Sequence, residues 1–211
     1  VFVTLLLCVW VVWHTLAEMW KKIRTAKAGV IAGFRRLSLS YRGMVIAHIG
    51  LAITVAGVAM TANYDIERDV RMQAGDEVDI GPYHFIFEGV KEVEGPNYMA
   101  TRGIVSVTKG SSDVAVLTPE KRRYYVRRDV MTEAAIDAGF SRDLYVALGE
   151  PLDDGSWAVR IYFKPFMRWV WGGGVVMALG GFVAMSDRRY RIKVKQKVTG
   201  AASGVLGGNA A

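Results

Sequence analysis

A single cysteine in 211 residues, Cys8, leaves no partner for an internal disulfide and no thiolate set for a metal cluster. It sits in an apolar stretch and reads as a small buried hydrophobe. Histidine is almost as scarce: His14, His48 and His84 are the whole supply. No HExxH, paired-cysteine, Ser-His-Asp or glycine-rich phosphate-loop arrangement occurs, so nothing here runs hydrolysis by itself. Carboxylates are nearly missing from the two ends of the chain. Outside residues 63–168 there are 13 Lys and Arg against only Glu18 and Asp187, whereas residues 63–168 carry 14 basic and 18 acidic side chains. The formal charge of +7 therefore comes from short flanking segments and does not describe a nucleic-acid-binding surface.

At 52% hydrophobic residues the chain is too apolar for an ordinary soluble domain, and its middle is too charged for a purely membranous one. Residues 43–62, GMVIAHIGLAITVAGVAMTA, form an unbroken apolar run of helical length with one ionisable group, His48. About 20 such residues match the ~30 Å hydrocarbon core of a bilayer. A titratable side chain there is costly and by default faces protein, water or a ligand. His48 lies roughly 7–8 Å inside the end that begins at Gly43. Gly43, Ala47, Gly50, Thr54, Gly57 and Thr61 recur at spacings of four and three, a stripe that admits the backbone of another helix or a flat cofactor.

The expected fold is a membrane protein of three transmembrane α-helices, with a β-rich domain inserted between the second and third. Residues 1–20 are the first span and 43–62 the second. Between them, residues 21–42 form a loop with seven basic side chains and no acidic one, which the positive-inside rule places in the cytoplasm. The chain begins with Val at the edge of an apolar span and has no basic leader, so it reads as part of something longer, without a signal peptide. Residues 63–165 form the exported, periplasmic module. Strand-like runs at 78–80, 83–93, 103–108, 114–117, 123–126 and 157–163 alternate with turn signals such as Gly81-Pro82 and Asp153-Asp154-Gly155. They predict a small barrel or sandwich, with 131–138 and 143–148 undecided between helix and strand. Residues 166–185 are the third span, with Tyr162, Phe163, Phe166, Trp169 and Trp171 as an aromatic belt. Residues 186–211 are a basic, then Gly/Ala-rich, cytoplasmic tail.

His48 is the leading candidate for chemistry. It reads either as a histidine satisfied by a nearby hydroxyl or carbonyl, or as an axial haem ligand, proton relay or metal ligand. Small neighbours on its helix favour a large planar cofactor over a bare ion. His14 and Glu18 stand four residues apart at a similar depth and read as an interfacial ion pair. The sharper alternative is a cofactor clamped between His14 and His48. His84 falls in a strand-like run and reads as a surface or half-buried histidine. Lys121-Arg122-Arg123 and Arg127-Arg128, around Tyr124-Tyr125, read as a solvated strand face or as a grip for an acidic partner or propionates.

Four stretches occur together and in order: GMVIAHIGLAITVAGVA, ERDVRMQAGDEVDIGPYHFIF, MTEAAIDAGFSRDLYVALGE and WAVRIYFKPFMRWVWGGGVVMALGG. From about residue 40 to 191 the chain resembles the C-terminal third of the CcmF family, the haem lyase subunits of bacterial cytochrome c maturation. A paralogue serving cytochrome c nitrite reductase is similar as well. The resemblance implies a multi-pass protein of the bacterial inner membrane that joins haem to the CxxCH thiols of apocytochrome c. Implied partners are a periplasmic haem chaperone and thioredoxin-like apocytochrome-handling subunits. It further implies a b-type haem in the membrane, carrying electrons toward the substrate haem, with His48 of IAHIG as one axial ligand. The family's tryptophan-rich motif and its remaining ligand histidines have no counterpart in this chain, and neither His14 nor His84 lies in a matching motif. The implied role is thus half of a haem site plus a periplasmic module, inactive alone. The competing expectation is a membrane-anchored periplasmic assembly factor or receptor without cofactor.

Overall fold

The computed structural model describes residues 1–25, 29–126 and 129–187, and the chain divides into two compact units. One is Val1–Ala56 with Val170–Ala211, the other Gly57–Trp169. Lys27, Arg127, Arg128 and the expected basic and Gly/Ala-rich tail from residue 188 lie outside the described residues.

Long runs of Leu, Ala, Val and Met without proline give the helices. These are α1 (Phe2–Arg24), α2 (Val30–Arg36), α3 (Leu39–Tyr64) and, at the far end of the chain, α4 (Met167–Met185). α1, α3 and α4 are long and apolar enough to cross a membrane. α2 is a short helix that the basic loop hid; its Gly33 packs so closely that a Cβ there would meet the backbone of Ile23 in α1.

The start of α3 is capped twice. The Ser38 hydroxyl accepts from the Tyr41 N–H at 3.2 Å, and the buried Asp187 carboxylate accepts from the Ser40 N–H at 3.0 Å. Both contacts satisfy donors that a helix N-terminus leaves open, and the carboxylate also meets the positive end of the helix dipole.

The small-residue stripe of α3 is filled by α4. A Cβ on Gly50 would lie 2.6 Å from the Met177 nitrogen, and one on Gly180 2.6 Å from the Ala47 nitrogen. The Thr54 hydroxyl reaches the Val170 carbonyl at 3.4 Å. Of the two occupants the stripe admits, the structure holds a helix. Backbone-to-backbone packing along the stripe leaves no room there for a ring system.

The second unit is all β. Its strands are β1 (Ile66–Met72), β2 (Glu77–Ile80), β3 (Tyr83–Glu94), β4 (Tyr98–Lys109), β5 (Ser112–Leu117), β6 (Glu120–Tyr124), β7 (Val130–Glu133), β8 (Ala135–Ala138), β9 (Arg142–Pro151) and β10 (Trp157–Pro165). One sheet runs β1-β10-β9-β8. The other runs β2-β3-β4-β6-β7, with β5 also on β4, and the pairings are antiparallel. Period-2 alternation sends Phe85, Phe87 and Val105 from one sheet against Leu144, Leu148 and Ile161 from the other, all fully buried.

The undecided segments are therefore strands β7, β8 and β9, and the barrel-or-sandwich choice resolves to two open sheets. β1 was not foreseen. Glu67, Arg68, Asp69 and Arg71 mask its alternation, but as an edge strand it turns them to water and pairs Asp69 with Arg160 of β10 at 2.5 Å. The expected aromatic belt is split. Tyr162 and Phe163 belong to β10, and Phe163 packs on the sandwich core. Phe166 then turns the chain toward α4 at φ 56°, with its N–H on the Ser141 carbonyl at 2.9 Å.

Candidate cofactor-ligand site

His48 sits on the part of α3 that α4 does not cover, exposed along with Met44, Leu51, Val55 and Val58. Spacings of four, three, four and three residues put these five side chains on one helix face. The imidazole is oriented by its own helix: Nδ1 lies 2.8 Å from the Met44 carbonyl oxygen, one turn earlier. In the tautomer that satisfies this contact, Nδ1–H donates and Nε2 keeps its lone pair, the arrangement typical of a metal-bound histidine. The chemistry of this donor fits an axial nitrogen ligand, and the apolar neighbours fit a macrocycle face.

The structure also brings His14 to the same place. His14, Thr15, Glu18, Lys22, Tyr41, Met44 and His48 line one open cleft of about 310 Å³ between α1 and α3. The expected His14–Glu18 ion pair is replaced. Glu18 accepts from Lys21 Nζ at 2.9 Å, and the His14 ring packs on Trp10 with centroids 4.7 Å apart. Sequence reasoning missed Lys22 and Tyr41, whose ammonium and ring stack at 3.8 Å on the cleft wall. It also missed Met44, which position i−4 to His48 could have flagged.

His84 is assigned elsewhere. It lies on β3 of the sandwich, with Nδ1 2.6 Å from Asp79 and Nε2 3.1 Å from Glu77, both on β2. The hydrogen bond to Asp79 raises its pKa above the usual histidine value, against a smaller opposing effect of burial. Both ring nitrogens are thus engaged by carboxylates of β2, which leaves neither open to a ligand.

The basic stretch is mostly engaged within the sandwich. Glu120 is buried between Arg102 and Arg122, accepting at 2.6 and 2.7 Å. Burial raises its pKa, but the two guanidiniums outweigh this and hold it below the ordinary carboxylate value. Lys121 donates to the Gly149 carbonyl at 3.1 Å and pairs with Glu150. A free basic grip is thus reduced to Arg123 among the described residues. Among them, too, no group of three His, Cys, Asp or Glu side chains is placed to hold a metal ion.

Residues 63–165 match the family model described as the CcmF C-terminal beta-sandwich. The chain is 50% identical over 198 residues to the cytochrome c-type biogenesis protein CcmF of Pseudomonas aeruginosa, covering 94% of this chain and 30% of that protein. CcmF of Escherichia coli K12 is 52% identical over 164 residues, 78% of this chain and 25% of the relative. NrfE of Haemophilus influenzae, also titled a cytochrome c-type biogenesis protein, is 34% identical over 190 residues, with coverages of 90% and 28%. A solved cytochrome c heme lyase CcmF shares the fold with a TM-score of 0.66 at 14% identity, over 83% of this chain and 29% of that one. The chain thus spans about 30% of the length of the curated relatives it matches.

Proposed function

Because this chain belongs to the CcmF family of cytochrome c-type biogenesis proteins, we propose that it forms the C-terminal part of a haem lyase subunit. In the whole protein, haem is joined to the CxxCH thiols of apocytochrome c, with a periplasmic haem chaperone and thioredoxin-like subunits as partners. Identity to CcmF exceeds that to NrfE, which supports general maturation over service to nitrite reductase. α1, α3 and α4 span the bacterial inner membrane. The acid-free loop at residues 21–42 lies in the cytoplasm and the sandwich in the periplasm, an orientation that the basic flanks support.

Within this assembly His48 would hold a b-type haem in the membrane as one of its nitrogen ligands. The observation that carries this assignment is the imidazole clamped by the Met44 carbonyl, its Nε2 lone pair left on an apolar helix face. A bound haem iron supplies one-electron transfer, at a potential tuned by its axial ligands and their hydrogen bonds. The residues of this chain orient and hold. Met44 fixes the tautomer through its carbonyl, and Leu51, Val55 and Val58 continue the apolar face on which the imidazole stands. No bond-making step is assigned to a side chain of this chain.

The Met44 contact also satisfies His48 without a cofactor, which supports the second reading: an anchored periplasmic assembly factor. His48→Ala in the intact protein separates the two. Loss of the reduced b-type absorption band and of pyridine-haemochrome content is expected; a full, unshifted haem spectrum in the variant would remove His48 from the ligand set.

A further inference from the structure

The tip of the β8–β9 hairpin carries the most conspicuous misplaced aromatic side chain of the sandwich. Phe85 and Phe87 are fully buried, yet Phe140 is 78% exposed at a turn held in place from both sides. The Gly139 N–H donates to the Arg142 carbonyl at 2.8 Å and to Asp143 at 3.2 Å. The Arg142 guanidinium is tied to the Asp137 carbonyl and the Tyr83 hydroxyl, each at 3.0 Å. The ring is thus presented by a braced loop.

Its neighbours show what it faces. The Phe140 ring meets Trp169 at 5.7 Å, and Trp169 meets Phe166 at 5.1 Å. All three belong to the same compact unit, Gly57–Trp169. The backbone ties the tip to this spot, because Ser141 accepts from the Phe166 N–H at 2.9 Å, one residue before α4 begins. The tip therefore lies against Phe166 and Trp169, the residues through which the chain enters an apolar helix of membrane-crossing length. Beside it stand Arg168, exposed and 4.0 Å from Asp143, and Lys164, paired with Asp65 at 2.9 Å. Rings beside cations at the end of a span are the chemistry of the lipid headgroup boundary.

We propose that the β8–β9 hairpin tip is a membrane-interface anchor, with Phe140 inserted at the headgroup–acyl boundary of phospholipids next to Trp169. The proposal rests on α4 being a membrane span. Lipid is the occupant because the exposed ring packs on Trp169, and its hairpin is hydrogen-bonded to Phe166, at the residues where the chain passes into that span.

The single cysteine makes the test direct. The full chain with Cys8→Ser is reconstituted in phosphatidylcholine–phosphatidylglycerol vesicles and given one nitroxide at a time. The labelled variants are Ser141→Cys at the tip, Leu179→Cys within α4 and Ser111→Cys in the turn between β4 and β5. Collision with dissolved oxygen and with a water-soluble nickel chelate is then measured. At position 141 nickel access is expected to be several-fold lower than at 111 with oxygen access retained, and Phe140→Asp should restore nickel access. Water-like access at 141 beside a lipid-like 179 overturns the anchor and leaves the span intact. Protection at 141 from both reagents overturns it in favour of a protein neighbour. Water-like access at 179 removes the span and the anchor together. If Ser141→Cys does not fold, Ala138→Cys, exposed at the base of the same tip, is labelled instead with Phe140 in place and the same deciding results.

Discussion

The two units dispose of their apolar residues in opposite ways. The sandwich turns Phe85, Phe87, Leu144, Leu148 and Ile161 inward to complete burial, and satisfies its charges by pairs such as Asp69–Arg160 and Arg102–Glu120–Arg122. The helical unit leaves Phe2, Trp13, Leu51, Trp171 and Phe182 outward. The sandwich carries its own interior, whereas the helices borrow one from their surroundings. In a bilayer there is no hydrophobic gain from helix meeting helix, so α3 and α4 associate through absent Cβ atoms and close backbone approach.

The contrast breaks most sharply at a core phenylalanine. Phe87→Ala should destabilise the sandwich by about 3–5 kcal/mol. Leu7→Ala, on the outward face of α1, should leave the same denaturant midpoint unchanged; equal losses would abolish the distinction between the units. Neighbouring glycines of α4 sharpen it next. A Cβ on Gly173 would lie 2.6 Å from the Gly50 carbonyl oxygen, while one on Gly174 meets nothing within 4 Å. Gly173→Ala should cost about 1–3 kcal/mol by overpacking, whereas Gly174→Ala should gain a few tenths to 1 kcal/mol from helix propensity. Thermal unfolding in detergent reads the opposite signs.

The smallest effect is electrostatic. The His84 pKa is raised in the folded state, so its contribution is fully present below the unfolded value of about 6.5 and is lost as pH rises through the folded value. Because the pair is partly exposed, the loss should stay under about 1 kcal/mol. The melting temperature should fall slightly from acid to mildly alkaline pH, and His84→Gln should remove that component of the slope.

How much of this was legible depended on which force wrote the pattern. The spans were readable because burial in lipid demands whole apolar runs, and β3 and β10 because burial on one face demands alternation. β1 was opaque, since an edge strand bathed in water keeps the charges of a loop. α2 was hidden by its seven-residue length and the basic residues around it. His48 stood out as the lone ionisable group in its span, but the occupant of the glycine stripe beside it did not. A missing Cβ says how near a neighbour can come and nothing of what the neighbour is. Asp187, read only as one of two stray carboxylates, caps a helix that begins 148 positions earlier, a pairing that no local window contains.

One consequence follows from the oxygen that steadies His48. It belongs to the peptide unit of residue 44, so no single substitution at that position deletes it. Exchanging the methionine would alter the wall of the cleft and leave the ring's bearing untouched. The aim of the imidazole is therefore inherited with the helix itself, and only unwinding that one turn would lose it.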